Sequence, residues 1–207
     1  MRGGDATSPS GKERVWFLTE NSNKFREASS ILAPFGIRIQ HMRAAKVEIQ
    51  DPRPENIARF ALESALKNNK RLIVVEDSGL FIEGLSGFPG PYSSFVYETI
   101  GLKGILSLLR SSRNRRAYFQ SSVAAGSSSL EPQLFTGTVR GRISRSILGK
   151  TGFGYDPIFI PEGSRKTFGQ TSWSFKNRNS HRAAAFQKFA EWFRRRQLVL
   201  SGLERVR

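Results

Sequence analysis

The stretch LIVVEDSGL, residues 72–80, decides the predicted fold, because it passes directly from four apolar residues to two carboxylates. The run 72–75 is short, apolar and partly β-branched, which predicts a buried central strand. Glu76 and Asp77 follow at its end, and a glycine comes two residues after Asp77. Carboxylates at the end of a buried strand are typical of α/β active sites. A turn capped by Asp77, with Gly79 at positive φ, is the alternative.

Predicted strands and helices lie on both sides of this stretch. Strands are predicted at residues 15–19, 37–42, 117–124, 134–144 and 158–160. Helices are predicted at residues 24–33, from Pro54 onward, at 94–109 with a weak point at Gly101 and Gly104, and from Ser180 onward. Helical spacing predicts buried faces at Ile57, Phe60, Ala61, Ser64 and Ala65, and at Phe186, Phe189, Ala190 and Phe193. We therefore expect an α/β fold with a mixed sheet and flanking helices, as one domain over residues 14–207 behind a disordered tail at 1–13.

The composition limits the kinds of site that this chain can build. It has no cysteine and 2 histidines, so a bound metal has to be held by oxygen, which favours Mg²⁺ or Mn²⁺. No apolar run reaches the length of a membrane span, and the N-terminus lacks the apolar stretch of a signal peptide, so a cytoplasmic protein is expected. The net charge of +16 attracts polyanions, either nucleotides or nucleic acid, although a solvated basic surface is the alternative.

A polar turn between a predicted strand and a predicted helix, residues 19–24, is suited to binding phosphate. Backbone N–H groups and the helix dipole attract anions there. Lys24 adds a positive charge, and the side chains of Thr19 and Asn21 can donate hydrogen bonds. The glycines and the Lys-Ser/Thr pair of a Walker loop are absent. An ordinary helix cap is the alternative.

Two later segments are suited to binding a base. Residues 152–157, Gly-Phe-Gly-Tyr-Asp-Pro, combine two aromatic rings with an acid and can form a stacking platform, with a core-filling loop as the alternative. Ser180 is a good N-cap and places His181 and Arg182 in the first helical turn, with Lys176 just upstream. A solvated basic helix start is the alternative there.

Five short motifs occur along this chain in a fixed order. They are Thr19-x-Asn21-x-x-Lys24, EDSGL at 76–80, GFPGPYS at 87–93, GFGYDPIF at 152–159 and Ser180-His181-Arg182. Their combination, over residues 15–196, resembles the inosine triphosphate pyrophosphatase family, also called XTP/dITP diphosphatases, and its archaeal-type members in particular. The resemblance implies an elongated, two-lobed α/β fold with a central substrate cleft, usually as a homodimer. It also implies hydrolysis of ITP, dITP and XTP to the monophosphate and pyrophosphate.

The resemblance implies a role for each site residue. Thr19, Asn21 and Lys24 match the triphosphate loop, Glu48 matches a metal-binding glutamate, and Asp77 matches the proton acceptor and metal ligand, with Ser78 beside the substrate. Phe153, Gly154, Tyr155 and Asp156 match the base-pocket segment, and Lys176, His181 and Arg182 match the cationic group at the other side of the base. The implied cofactor is Mg²⁺, held by Glu48 and Asp77.

Three features depart from the family pattern. The residues before Lys176, Trp-Ser-Phe, replace a usually acidic segment, and Gln170 stands where a glutamate is common. The helix after Pro54 has Glu63 where members often have a lysine, with Lys67 one turn later. Either Lys67 reaches into the cleft in place of that lysine, or Glu63 and Lys67 are both solvated.

The predicted reaction is in-line attack of water on the α-phosphorus, with Asp77 orienting or deprotonating the water and Lys24 stabilising the developing charge. The cationic group is expected to donate to a 6-oxo base and to repel the 6-amino group of adenine. A nucleic-acid-binding protein would explain the basic charge, but not Glu48 and Asp77, which repel phosphate. A pyrophosphatase for modified pyrimidine or canonical nucleotides on a related fold is the second alternative.

Overall fold

A computed structural model describes residues 13–67 and 69–202 of the chain. The predicted disordered tail at 1–13 lies outside the described residues except for Glu13, which pairs with Arg196 in the last helix. Within the described residues, seven strands and six α-helices form a mixed α/β fold, as the sequence predicts.

The strands and helices have the following bounds. The strands are β1 (Val15–Leu18), β2 (Ile39–Met42), β3 (Leu72–Ile82), β4 (Pro89–Gly90), β5 (Arg116–Ser127), β6 (Leu130–Ile143) and β7 (Phe159–Pro161). The helices are α1 (Ser22–Leu32), α2 (Pro54–Leu66), α3 (Ser93–Thr99), α4 (Gly101–Leu108), α5 (Trp173–Asn179) and α6 (His181–Leu200).

All seven strands belong to one mixed sheet in the order β2-β1-β3-β5-β6-β7, with the short β4 paired to β3. β1 runs parallel to β2 and β3, whereas the pairs β3–β5, β5–β6 and β6–β7 are antiparallel. Parallel strands need cover on both faces of the sheet. Helices α1 and α6 supply it on one face, beside Phe17 and Val74, and α2 supplies it on the other, beside Ile73 and Val75.

The apolar core divides at the middle of β3. Residues 72–75 pack with α1, α2 and α6, whereas Leu80 and Ile82 pack with α4 and with buried residues between 155 and 168. The polar residues 76–78 lie between these two groups. Because polar side chains do not join either apolar cluster, the division leaves room for a cleft between two lobes.

Strand β3 is longer than the sequence predicts, and this corrects the position of its carboxylates. The strand continues through residues 76–82, each of which pairs with a residue of β5. The alternative of a turn is wrong, because Gly79 does not have a positive φ. A Cβ at Gly79 would lie 2.4 Å from the carbonyl oxygen of Gly90, so glycine is needed there for the close approach of β4. Adjacent strand residues point to opposite faces, which puts Glu76 and Asp77 in different surroundings.

The helices agree with the prediction in type and differ in detail. Asn21 caps α1, which begins two residues earlier than expected, and α2 begins at Pro54 as expected. Phe60 was wrongly assigned to the buried face of α2, since it is 38% exposed and Leu62 is buried instead. The single helix predicted at 94–109 is divided into α3 and α4, because Gly101, the first residue of α4, has a φ of 60°, whereas Gly104 does not interrupt α4. Helix α5 was not predicted. Within the described residues, no helix is both long and apolar enough to cross a membrane.

Candidate active site

A cleft of about 830 Å³ lies where the core divides. Its walls come from the start of α1, the middle of β3, the loop 152–156 and the start of α6. All the predicted site residues line it: Thr19, Asn21, Lys24, Glu48, Asp77, Ser78, Phe153, Gly154, Tyr155, Asp156, Lys176, His181 and Arg182. The structure therefore brings these residues together, while the role of each stays a prediction.

The polar turn at residues 19–24 is both a helix cap and a wall of the cleft. Asn21 Oδ1 accepts the backbone N–H groups of Asn23 and Lys24 at 3.0 and 3.1 Å, and Thr19 Oγ1 accepts the N–H of Asn21 at 3.1 Å. The helix-cap alternative is thus correct for the acceptor atoms. These cap bonds do not use the Asn21 side-chain NH₂, which remains a donor beside the helix N-terminus in the cleft wall, where an anion can bind.

A network of buried charges, which the sequence did not predict, joins α1, β3, α5 and α6. Glu27 is fully buried and binds the Lys176 ammonium at 2.7 Å through Oε1 and the Arg182 guanidinium through Oε2. Arg182 also binds Glu76 Oε1 at 3.0 Å, and Lys176 binds Asp156 Oδ2 at 2.5 Å. Each buried cation therefore has two carboxylate partners, as a buried charge requires.

The burial of this network excludes one alternative from the sequence analysis. A solvated basic helix start is wrong, because Lys176, His181 and Arg182 are only 2%, 4% and 2% exposed. The predicted N-cap is confirmed, since Ser180 Oγ accepts the N–H of Ala183 at 3.1 Å. Arg182 therefore enters the cleft wall with its terminal nitrogens already bound to carboxylates.

Glu27 had a weak signal in the sequence that would have identified it. It lies next to Ala28 and four residues before Ile31, on the face of α1 that packs into the core. A carboxylate on an apolar helix face needs a buried partner, so its position predicts an ion pair. The sequence could not name that partner, because Arg182 is 155 residues away.

The two aromatic rings of the loop 152–157 have different roles, one in the core and one at the cleft. Tyr155 is buried and its hydroxyl donates to the Ser93 carbonyl oxygen at 2.8 Å, so this ring fills the core as the alternative had it. Phe153 is half-buried, and its ring centroid lies 4.4 Å from Lys176 Nζ in the cleft wall. Asp156 Oδ2 holds the loop by accepting the N–H of Phe153 at 2.7 Å. Phe153 is therefore the ring of this loop that is placed to stack on a base.

His181 presents a neutral polar ring in the cleft. It stacks on Phe119 with centroids 4.6 Å apart and planes 13° from parallel. Burial, together with the charge of Arg182, lowers the pKa of His181 well below its ordinary value. Its Nδ1 has no hydrogen-bond partner among the residues that the structure describes. A neutral imidazole has one donor and one acceptor nitrogen, so His181 can contact a base without adding charge.

We expect His181 to reduce the stability of the folded protein as the pH falls below the ordinary histidine range. The unfolded chain takes up a proton near pH 6.5, at about 1.4 kcal/mol per pH unit, whereas the folded chain takes it up only at lower pH. The free energy of unfolding therefore falls between these two pKa values as the pH decreases. Urea unfolding at about pH 7.5 and about pH 5.5 measures this loss. It should be smaller in His181→Gln, and an equal loss in both proteins would contradict the assignment.

Lys46 is a further site residue that the sequence analysis missed. Its Nζ lies 2.6 Å from Glu48 Oε1 and 3.3 Å from Asp77 Oδ1, and it donates to the Glu76 carbonyl oxygen at 3.2 Å. Burial opposes the charge of Lys46, but the carboxylates of Asp77 and Glu48 outweigh it and raise its pKa. The order Lys46-Val47-Glu48 was the available signal, because residues two apart share one side of an extended chain.

The two adjacent carboxylates of β3 differ in proton affinity. Burial raises the pKa of Asp77 above its ordinary value, although Lys46 and Lys24 oppose this effect. Burial would do the same to Glu76, but Arg182 and Lys24, whose Nζ is 2.9 Å from Glu76 Oε2, outweigh it and hold the pKa of Glu76 far below its usual range. Glu76 is therefore a permanent negative charge, and Asp77 is the better proton acceptor.

The donor set around Asp77 fits a magnesium ion that also binds the substrate. Asp77 Oδ2 is buried and has no hydrogen-bond partner among the described residues. The Glu48 side chain is 54% exposed and faces the same lysine. In the described part of the chain, no group of three or more His, Asp or Glu side chains is arranged to hold a metal. Mg²⁺ is commonly held by one or two carboxylates and by phosphate oxygens, so two protein ligands are sufficient.

Helix α2 does not supply a cation to the cleft in the part of the chain that the structure describes. Glu63 and Lys67 are both exposed, and neither lines the cleft. The alternative in which both side chains are solvated is therefore the one that the structure has. Lys24 and Lys46 are the lysines beside the carboxylates of β3.

Comparisons with known proteins identify a family for this chain. The model of the Ham1 family matches residues 15–192. A dITP/XTP pyrophosphatase of Saccharolobus solfataricus is 48% identical over 179 residues, which cover 86% of this chain and 93% of that protein. A dITP/XTP pyrophosphatase of Hyperthermus butylicus is 46% identical over 180 residues, covering 87% of this chain and 94% of that protein.

Solved structures give the same result for the fold. The Ham1 protein of Staphylococcus aureus has a TM-score of 0.77 and 26% identity, and the match covers 88% of this chain and 100% of that one. A HAM1 protein of Coxiella burnetii has a TM-score of 0.77 and 25% identity, and covers 88% and 98%. The family model spans most of the sequence, and the relatives match it over nearly their full length. This chain therefore belongs to the Ham1 family.

Proposed function

We propose that this chain hydrolyses non-canonical purine nucleoside triphosphates, namely ITP, dITP and XTP, to the monophosphate and pyrophosphate, and so removes them from the nucleotide pool. One observation carries the proposal: a single cleft holds carboxylates and lysines suited to a triphosphate beside aromatic and polar groups suited to a base. The archaeal relatives named dITP/XTP pyrophosphatase support the same reaction and substrate class.

At the phosphate end, Asp77 is proposed to orient the attacking water and to accept its proton. Its raised pKa suits a proton acceptor better than the low pKa of Glu76 does. Lys24 is held by Glu76 at the start of α1, where its charge and the helix N-terminus stabilise the charge that develops on the phosphate oxygens. Glu48 and Asp77 would hold Mg²⁺, which neutralises the leaving pyrophosphate when bound.

At the base end, His181 and Phe153 are proposed to contact the purine. Phe153 offers a ring for stacking, and His181 offers a donor to a 6-oxo group. Lys176 and Arg182, which were predicted as direct donors, are bound to buried carboxylates. We assign them to holding the wall in place, with a further bond from Arg182 to Ser78 Oγ at 3.3 Å.

Purified protein with Mg²⁺ is expected to release pyrophosphate, and not orthophosphate, from ITP and XTP. In the tautomer of His181 that donates to a 6-oxo group, the 6-amino group of adenine would face that same donor, and an unpaired buried donor costs about 1–3 kcal/mol. We therefore expect kcat/KM for ITP to exceed that for ATP by at least about tenfold, which corresponds to about 1.4 kcal/mol. Phosphate released with and without a coupled inorganic pyrophosphatase measures both quantities.

Two results would contradict the proposal. Equal turnover of ITP and ATP would indicate a pyrophosphatase for canonical nucleotides. Salt-sensitive binding of RNA without any hydrolysis would indicate a nucleic-acid-binding protein, whose affinity depends on neutralised phosphates.

We also propose that the protein acts as a cytoplasmic homodimer, which is the assembly that the family resemblance implies. Exposed apolar side chains along α3 and α4, such as Phe95 at 67% and Ile100 at 44% exposure, are compatible with a subunit contact. Light scattering coupled to gel filtration tests this, and a monomeric mass at assay concentration would exclude the homodimer.

A further inference from the structure

Lys46 contacts one oxygen of each of the two carboxylates in the proposed metal site, Glu48 and Asp77. Its ammonium contacts Glu48 Oε1, Asp77 Oδ1 and the Glu76 carbonyl oxygen at 2.6, 3.3 and 3.2 Å. An ammonium has three N–H donors, so these three acceptors account for its full hydrogen-bonding capacity. The side chain is only 13% exposed, which makes it part of the cleft wall and not a freely moving surface lysine.

A cation in this position has a direct effect on the binding of a second one. The two carboxylates carry two negative charges, and Lys46 neutralises one of them at close range. A divalent ion bound to the same two carboxylates would lie within a few ångströms of the Lys46 ammonium, where like charges repel strongly in a partly buried site. Lys46 and a metal ion therefore compete for Glu48 and Asp77.

The competition ends when a second set of anions is available to Lys46. Lys24 lines the same cleft but is paired with Glu76, and the cations of α2 that the structure describes lie outside the cleft. Lys46 is therefore the cation beside Asp77 that can transfer from protein carboxylates to the phosphates of a nucleotide. Its unbranched stem of four carbons allows such a movement without a change in the backbone.

We propose that Lys46 is an internal counterion of the metal-binding carboxylates, which it releases when it binds the phosphates of an incoming nucleotide. The release step rests on the proposed function, whereas the competition with a metal in the free protein does not. In the nucleotide-free protein, Lys46 keeps the affinity of Glu48 and Asp77 for divalent cations low. With nucleotide present, Lys46 binds phosphate, so metal and nucleotide bind with positive coupling.

The test is the binding of Mn²⁺ to the nucleotide-free protein, followed by the loss of the free-ion signal in electron paramagnetic resonance. Lys46→Met keeps an unbranched apolar chain nearly as long as the lysine stem and removes the charge. We expect it to bind Mn²⁺ about tenfold more tightly than the parent, within the usual range of a coupling between two sites. Lys46→Arg should bind Mn²⁺ as weakly as the parent, because it keeps the charge. Lys67→Met is the matched control, since it removes an exposed lysine outside the cleft, and it should not differ from the parent.

A second measurement tests the release step. The KM of Lys46→Met for ITP at saturating Mg²⁺ should rise about tenfold, while Lys67→Met keeps the KM of the parent. If the parent hydrolyses no ITP, the proposed function fails, and the Mn²⁺ affinities still decide whether Lys46 competes with metal.

Unchanged or weaker Mn²⁺ binding by Lys46→Met would overturn the proposal that Lys46 competes with metal for Glu48 and Asp77. Tighter Mn²⁺ binding with an unchanged KM would overturn the transfer to phosphate. Circular dichroism shows whether Lys46→Met is folded. If Lys46→Met does not fold, Lys46→Gln is measured in its place. Failure of both variants to fold would assign Lys46 to the structure alone and overturn the proposal.

Discussion

Asp77→Asn is expected to lower kcat for ITP by roughly 10²–10⁴-fold, the usual contribution of a general base. Asparagine keeps the shape of the side chain but cannot accept the proton of the attacking water. It also removes one of the two carboxylates around Lys46 and weakens the proposed magnesium site. The fold should persist, because β3 is held by its pairing with β5 and burial of an uncharged amide costs less than burial of a carboxylate.

The two effects of this substitution are separable by varying the magnesium concentration. If only metal binding were lost, high Mg²⁺ would restore kcat, whereas loss of the proton acceptor persists at saturation. Glu63→Gln is the control, since it deletes a carboxylate that is exposed on α2 and should leave kcat unchanged. Nearly normal kcat in a folded Asp77→Asn protein would show that Asp77 has a structural role only.

Glu27→Ala is expected to have the largest effect on stability. Glu27 is fully buried and binds both Lys176 and Arg182, so its removal leaves two buried cations with one carboxylate fewer each. Breaking a buried ion pair from one side costs about 3–5 kcal/mol. For a chain of this size, that corresponds to a fall in Tm of roughly 6–20 °C.

Thermal and urea unfolding measure this loss, and two variants make it specific. Glu27→Gln fills the same volume without the charge, so a large loss in this variant too attributes the effect to the ion pairs and not to a cavity. Glu191→Ala removes an exposed carboxylate of α6 and should change the stability by no more than about 0.5 kcal/mol. A loss below about 1 kcal/mol in Glu27→Ala would mean that the cations find other partners.

Local chemistry made several parts of this fold predictable. The apolar run 72–75 predicted the central strand, Pro54 and Ser180 predicted where two helices begin, and Gly101 was one of two predicted weak points in the helix at 94–109. These signals act over a few residues, through the fixed φ of proline, the positive φ of glycine and the N-cap bond of serine. Most of the predicted site residues came from short motifs, and others, such as Glu48, came from the family resemblance that those motifs carry; all of them line one cleft.

Only the tertiary structure decided which charges meet in that cleft. Arg182 binds Glu27 and Glu76, which are 155 and 106 residues away, and no local spacing specifies such pairs. Because β3 pairs with β5, it continues past Glu76 and Asp77, where the sequence predicted the end of the strand. Burial raises the pKa of Asp77, whereas the charges of Arg182 and Lys24 outweigh burial and lower the pKa of Glu76, although the two residues are neighbours in sequence.

The sequence by itself therefore determined the fold class and most element positions, because these depend on periodicity, caps and turns, and its motifs with the family resemblance indicated many of the residues at the cleft. The tertiary structure decided that Lys46 faces Asp77, that Glu27 holds the cationic wall and that Lys67 stays outside. The physical reason is that the energy of a charge depends on its burial and on all charges within a few ångströms. Those neighbours come from distant parts of the chain and are known only once the sheet and its helices are assembled.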